Sequence, residues 1–245
     1  MAARRLGRED IVVVAATALA AGLAWLWLAR GGGLSMAAMT ASPWSAAYLA
    51  PAFAMWALMM VAMMLPSALP MILLHARVAR QGSEAALPAG TVIFGLAYVV
   101  LWSGFALPAA LAQAGLVASG ALSTMELTLD GSLAAAGLLG LAAAWQVSAL
   151  KRACLDKCRS PLAFVTRGFR PEWHAALRLG LSHGVYCIGC CWALMLLLFV
   201  GGVMNLAWIA ALGAVVIAEK YGPPWTARAL TSLLVIAAAA LVMTG

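Results

Sequence analysis

Long apolar segments of about 17 to 27 residues follow one another along most of the chain. A helix needs about 20 apolar residues to cross a hydrocarbon layer about 30 Å thick. Only 9% of the 245 residues are charged, against roughly 25% in a soluble domain, so few charges remain to cover a water-facing surface. The sequence therefore predicts an all-α, polytopic transmembrane helix bundle that lies in a lipid bilayer.

Hydropathy predicts about seven membrane-spanning helices in a single transmembrane domain that covers residues 1–245. The predicted helices lie near residues 11–29, 47–73, 91–117, 132–150, 178–200, 203–219 and 227–244. The chain is expected to reverse at Gly201-Gly202, and six helices with one broken span are the alternative. Residues 151–177 are expected to form a long basic loop in water.

The positions of the basic residues predict the orientation in the membrane. If the N-terminus is cytoplasmic, 14 of the 15 lysines and arginines lie on the cytoplasmic side, and only Arg30 lies outside. Cytoplasmic loops of membrane proteins usually carry the positive charge. We therefore expect a multi-pass protein of the bacterial inner membrane with its C-terminus outside. These positions also argue against nucleic acid as a partner, despite a net charge of +7.

One histidine and three cysteines lie close together in the run HGVYCIGCCW, at residues 183–192. At 100° per residue, the side chains of His183, Cys187, Cys190 and Cys191 share an arc of about 100°. Thiolate and imidazole are ligands of Cu(I), Zn(II) and iron–sulfur centres. Buried cysteines also serve as small packing residues, but a histidine in a membrane helix is costly without a role. The four residues are therefore predicted to bind metal.

Two further cysteines, Cys154 and Cys158, follow the fourth predicted helix. At a spacing of four residues their thiols meet if that helix extends into the loop. Two thiols so placed fit a metal-binding pair or a redox pair. The alternative is that they are incidental thiols of a cytoplasmic loop.

A stripe of methionines marks the second predicted helix. Met55, Met59 and Met63 repeat every four residues, and Met64 widens the stripe. In lipid such a stripe commonly serves packing alone. The thioether is nevertheless a soft ligand that suits Cu(I) and is poor for zinc or magnesium. Cu(I) ligation and packing both remain open for these residues.

Other features offer little chemistry. The sequence contains no Walker loop, dinucleotide fingerprint or serine elbow, so hydrolysis has no visible machinery. His75 is expected at the protein surface. Glu219 and Lys220 are adjacent and are expected to form a local ion pair.

Three runs resemble an uncharacterised family of bacterial integral membrane proteins that are predicted to bind metal. They are AMMLPS at residues 62–67, the stretch 154–161 with its two cysteines and final proline, and HGVYCIGCCW at residues 183–192. The resemblance covers most of residues 53–75 and 150–220. It implies a multi-helix membrane protein with a metal site, and it implies no substrate or mechanism.

Soft-metal handling is the function that these residues favour, above all binding of Cu(I) for transport, delivery or homeostasis. Zinc, or no metal, is the alternative. Cu(I) would pass from the methionine stripe to the cysteines of residues 183–192, with Cys154 and Cys158 on the cytoplasmic side and a metal donor or acceptor protein as partner. The second hypothesis is a membrane thiol–disulfide oxidoreductase that uses the Cys187/Cys190 pair, and the third is an accessory or assembly subunit of a membrane complex. The sequence leaves the oligomeric state open.

Overall fold

A computed structural model describes residues 7–33, 35–80, 89–123, 127–223 and 225–244. These residues form helices and no strand, and one isolated bridge joins Leu122 to Leu129. The predicted all-α class is therefore confirmed. The helices are α1 (Arg8–Ala29), α2 (Met36–Thr40), α3 (Ala46–Arg80), α4 (Ala89–Ala118), α5 (Ser132–Val147), α6 (Ala149–Arg159), α7 (Pro161–Gly168), α8 (Trp173–Leu196), α9 (Leu198–Gly201), α10 (Leu206–Tyr221) and α11 (Trp225–Thr244).

Five segments in the described part of the chain are long and apolar enough to cross a membrane. They are α1, α3, α4, α8 together with α9, and α11. The pair α5 and α6 makes a sixth candidate if the two helices count as one broken span. Every one of the seven predicted segments contains a helix, but α10 has only 16 residues and α5 ends in a bend. By length and composition the described residues thus supply five or six spans, consistent with a membrane protein.

Helix α3 is the centre of the bundle and packs against α1, α4, α7 and α10. A buried polar chain joins it to α4. Trp56 Nε1 donates to Gln113 Oε1 at 2.8 Å, and Gln113 Nε2 donates to the Tyr48 hydroxyl at 2.9 Å. Each donor is satisfied inside the bundle, where an unpaired polar group would be costly. These bonds fix the register of α3 against α4.

Helices α4 and α8 approach closely because α8 carries two glycines one turn apart. A Cβ atom on Gly180 would collide with the carbonyl oxygen of Phe94, and one on Gly184 would lie 2.6 Å from the Leu101 side chain. Small residues spaced by four let helix backbones come together in membranes. This contact sets the face that α8 turns toward the interior.

The expectation that residues 151–177 form a loop is wrong, because α6, α7 and the start of α8 lie there, although many side chains of this stretch are exposed. The chain bends by 65° between α5 and α6. Ser148 begins α6 by accepting a hydrogen bond from the Lys151 amide at 3.1 Å, which is a standard N-cap. Pro161 begins α7, where its missing N–H is not needed. After the bend, α6 lies against α8.

The predicted reversal before α10 is present. Gly202 has φ +92°, a left-handed conformation that favours glycine, and Asn205 then caps α10 by accepting from the Trp208 amide at 3.1 Å. This turn directs α10 back along the bundle, where it contacts α3, α6 and α8.

Candidate metal centre

Three thiols meet in the middle of α8. The sulfur atoms of Cys187, Cys190 and Cys191 all lie within 4.8 Å of one another, and each residue is at most 2% exposed. The grouping follows from helix geometry, because positions i, i+3 and i+4 share a face. Among the described residues no other group of three such ligands is this compact. We call these three residues the thiol triad.

Two of these thiols are held by the backbone of their own helix. Cys190 donates to the Cys187 carbonyl oxygen at 3.1 Å, and Cys191 donates to the same oxygen at 2.8 Å. All five cysteines are free. The sulfur atoms are therefore collected without a covalent bond between them, as a site that takes up metal reversibly requires.

Helix α6 brings the other two cysteines to α8. Cys158 is buried and interacts with the thiols of Cys187 and Cys190. Cys154 is half-buried against Gly189, where an added Cβ atom would lie 2.7 Å from its sulfur. The sequence placed this pair in a separate loop, but the bend before α6 folds it back. All five cysteines thus lie along one contact between α6 and α8.

The methionine stripe reaches the thiol triad through Met64. Its sulfur lies 4.0 Å from the sulfur of Cys191. Met55, Met59 and Met63 are also buried in α3. Met63 packs beside Gly213 of α10, and Met55 lies near Gly32. Among the four predicted methionines, Met64 has its sulfur next to a cysteine sulfur.

A buried lysine from α10 completes the surroundings of Cys187. Lys220 Nζ donates to the Cys187 sulfur at 3.0 Å and to Ser67 Oγ at 2.8 Å. The Tyr98 hydroxyl lies 3.1 Å from the same sulfur and donates to the Met64 carbonyl at 3.1 Å. Helices α4, α6, α8 and α10 therefore meet at this cysteine, and α3 holds Tyr98 and Lys220 in place through the Met64 carbonyl and Ser67. Sequence reasoning missed Lys220, although a lysine at the end of an apolar helix is a signal, because burial of that charge is expensive.

The expected ion pair between Glu219 and Lys220 is wrong. Neighbouring side chains point about 100° apart on a helix, so the two residues face different elements. Glu219 accepts from Lys151 Nζ at 2.7 Å and from Gln146 Nε2 at 2.6 Å. This buried ion pair ties α10 to α6 and leaves Lys220 to Cys187.

His183 lies on the same helix as the thiol triad but outside it. Its ring packs against those of Tyr98, Phe94 and Phe164, with centroids 5.1, 6.0 and 5.8 Å away. It is 2% exposed, and within the described residues neither ring nitrogen has a hydrogen-bond partner. His183 shares an arc of α8 with the cysteines, but it does not join the thiol triad, because its ring packs among aromatic rings from α4 and α7.

His75 is buried, contrary to the expected surface position. Its Nδ1 lies 3.1 Å from Thr91 Oγ1, and its ring stacks on Phe94 with centroids 4.9 Å apart. Phe94 thus contacts His75 and His183. The two histidines and Phe94 form a column of nearly parallel rings beside the thiol triad.

The family model of PpoB2, described as a copper chaperone, matches residues 53–244. The chain belongs to this copper chaperone family. The match includes α4 to α11 and most of α3, and hence all the residues assembled around Cys187. The resemblance to a metal-related family is confirmed, and copper is the metal that the family name gives. Neither a curated protein nor a solved structure matches the chain.

Membership of the copper chaperone family bears directly on the thiol triad. Thiolate and thioether are soft ligands, and their combination suits Cu(I). The cysteine triad with Met64 at its edge is such a set. The residues present are therefore chemically suited to copper as cargo.

Proposed function

We propose that this chain is a membrane-embedded chaperone that binds Cu(I) at Cys187, Cys190 and Cys191 and passes it to another protein. One observation carries the proposal: three buried thiols lie within 4.8 Å of one another in a member of a copper chaperone family. We further propose that Cys158 and Met64 lie in reach as additional ligands during exchange. The same proposal places the chain in the bacterial inner membrane as one domain with a cytoplasmic N-terminus.

The ligand set favours Cu(I) over zinc. Structural zinc sites are four-coordinate and take cysteine, histidine or carboxylate ligands. The group at Cys187 contains thiols and an adjacent thioether, while His183 lies outside it. Thioether sulfur suits Cu(I) and contributes little to a zinc site.

The charge of Lys220 supports binding of a metal–thiolate complex inside the bundle. Each cysteine that binds metal as thiolate brings one negative charge, and net charge at membrane depth is expensive. The Lys220 ammonium at 3.0 Å from the Cys187 sulfur offsets one such charge. Ser67 holds the ammonium in place from α3.

Delivery to a partner is favoured over energised pumping. The sequence has no nucleotide-binding motif, so Cu(I) must move along a gradient or by exchange with a donor or acceptor. Exchange between soft ligands needs a row of sulfur atoms in reach of one another. Cys154 and Cys158 of α6 provide such sulfur atoms, since Cys158 interacts with Cys187 and Cys190, and Cys154 interacts with Cys190.

The oxidoreductase hypothesis that uses Cys187 and Cys190 is less well supported. Thiol–disulfide exchange requires that the attacking thiolate reach a sulfur of the substrate. Both sulfurs are buried at the centre of the bundle. A small ion can enter such a place more readily than a protein disulfide can.

Metal content of protein purified without oxygen tests the proposal. About one copper per chain is expected in the wild type, since the triad forms one compact group, and none in a Cys187→Ser/Cys190→Ser/Cys191→Ser variant. Cys154→Ser is the matched control, because it removes a half-buried thiol outside the triad, and it should retain copper. Zinc in place of copper would contradict Cu(I). A wild type without metal whose Cys187 and Cys190 form a reversible disulfide in cells would favour the oxidoreductase.

A further inference from the structure

His183 is buried, and neither of its ring nitrogens has a hydrogen-bond partner in the part of the chain that the structure describes. A buried polar group without a partner costs free energy, and natural structures keep few of them. The ring lies one turn before Cys187 on α8, and Tyr98 contacts both residues. A nitrogen ligand is therefore held next to the thiol triad without being part of it.

A cavity of about 450 Å³ lies between α6, α7 and α8. Phe164 lines this cavity and contacts the His183 ring with centroids 5.8 Å apart. Ser182, the residue before His183, also lines it. One aromatic side chain on the short helix α7 thus contacts both the cavity and an imidazole that has no hydrogen-bond partner among the described residues.

The rim of this cavity carries excess positive charge. Exposed Lys157 and Arg167 line it together with one acidic residue, Asp156. Cu(I) bound by two thiolates carries one negative charge. A carrier of that chemistry is attracted to a basic rim.

We propose that His183 is a transfer ligand that passes Cu(I) from an anionic thiolate carrier in this cavity to Cys187, with Phe164 as the movable wall. This inference rests on the proposed function, and it assigns a route to the buried triad. His183 is a waypoint in it and not a permanent ligand of the loaded centre.

The transfer is a series of three ligand substitutions with no change of oxidation state. One copper–sulfur bond to the carrier breaks as a copper–nitrogen bond to His183 forms, and the second breaks as a copper–sulfur bond to Cys187 forms. The copper–nitrogen bond then breaks as a copper–sulfur bond to a second thiol of the triad forms. The two freed carrier thiolates take up two protons, and the two triad thiols that bind copper release two. Copper stays Cu(I) throughout.

Loading kinetics separate a waypoint from a permanent ligand. Purified, metal-free protein is mixed without oxygen with Cu(I) complexed by glutathione, and the near-ultraviolet absorption of the copper–thiolate bond is followed. His183→Phe preserves an aromatic ring among Tyr98, Phe94 and Phe164 and removes both nitrogens. We expect loading to slow by about tenfold or more, on the scale of lost metal-site partners, while the final copper content is unchanged. His174→Gln, an exposed histidine of the same helix, is the control and should load like the wild type.

Two further variants test the wall and the rim. Phe164→Ala should speed loading, because it removes the ring between cavity and imidazole. Lys157→Gln/Arg167→Gln should slow loading from the anionic glutathione complex and should not slow loading from the cationic acetonitrile complex of Cu(I), which a basic rim repels. Equal slowing with both complexes would refute the role of the rim.

Each remaining outcome has one meaning. Wild-type loading rates in His183→Phe would overturn the inference, and so would loss of copper at equilibrium, which would make His183 a permanent ligand. A wild type that takes up no Cu(I) from either complex would overturn the proposed function itself.

Discussion

Lys220 donates a hydrogen bond across 3.0 Å to the sulfur of Cys187, although 33 positions separate the two residues in the chain. Lys220 is 3% exposed, and its ammonium also donates to Ser67. A buried cation without a counter-charge is costly, so its place beside a thiol indicates that negative charge gathers there in the working protein.

Replacement of Lys220 by Met should weaken Cu(I) binding by about 10- to 100-fold, since a hydrogen bond to a charged group contributes about 1.5–3 kcal/mol. The fold should survive, because Ser67 still donates to the Met64 carbonyl and methionine suits the apolar surroundings. Competition with a Cu(I)-specific chelator measures the affinity. Arg228→Met, which removes an exposed cation, is the control. Equal affinities for the two variants would contradict the role of Lys220.

Met64→Leu should lower the affinity for Cu(I) and leave stability nearly unchanged, since exchanges of similar volume usually cost less than about 1.5 kcal/mol. Met55→Leu, at a buried position nine residues away on α3, should change neither quantity. X-ray absorption at the copper edge reports the number of sulfur neighbours. If Met64→Leu and the wild type have the same number of sulfur neighbours at copper, Met64 serves packing alone.

Gly189→Ala should destabilise the contact between α6 and α8 by about 1–3 kcal/mol, because the new methyl group meets the Cys154 sulfur and forces overpacking. The double variant Gly189→Ala/Cys154→Ala removes that sulfur and should recover most of the loss. Thermal unfolding in detergent measures both. If the effects of the two substitutions on stability simply add, the clash does not arise between residue 189 and the Cys154 side chain.

Glu219→Gln should destabilise the protein by about 3–5 kcal/mol, because it leaves the Lys151 ammonium buried without its counter-charge. Glu219→Gln/Lys151→Met removes both charges and should be more stable than the single variant. Chemical unfolding at constant detergent concentration gives the comparison. A double variant less stable than Glu219→Gln would mean that Glu219 is not the main partner of Lys151.

The long helices could be predicted from the sequence, because runs of about 20 apolar residues have few other stable arrangements. Helix α6 could not. It buries Leu155 and Cys158 on one face while Asp156 and Lys157 are exposed, so its average hydropathy resembles that of a loop. Only its packing against α8 shows that the charged stretch belongs to the bundle.

The thiol triad was accessible to sequence reasoning because a helix alone brings positions i, i+3 and i+4 together. The partners of Cys187 were not, since Tyr98, Lys220 and Cys158 come from three other helices. His183 illustrates the same limit. Its position on α8 follows from the helical period, but the rings that surround it are supplied by α4 and α7.

The order of the helices along the chain fixes when the surroundings of Cys187 can be completed during synthesis. A chain that ends at Gly201 already contains all five cysteines, yet it lacks Lys220 and the partner of Lys151 on α10. Helix α6 therefore acquires its buried ion pair only when α10 enters the bundle. The surroundings of Cys187 are thus completed at one of the last steps of synthesis, and a chain terminated before α10 would carry all five thiols without the Lys220 contact.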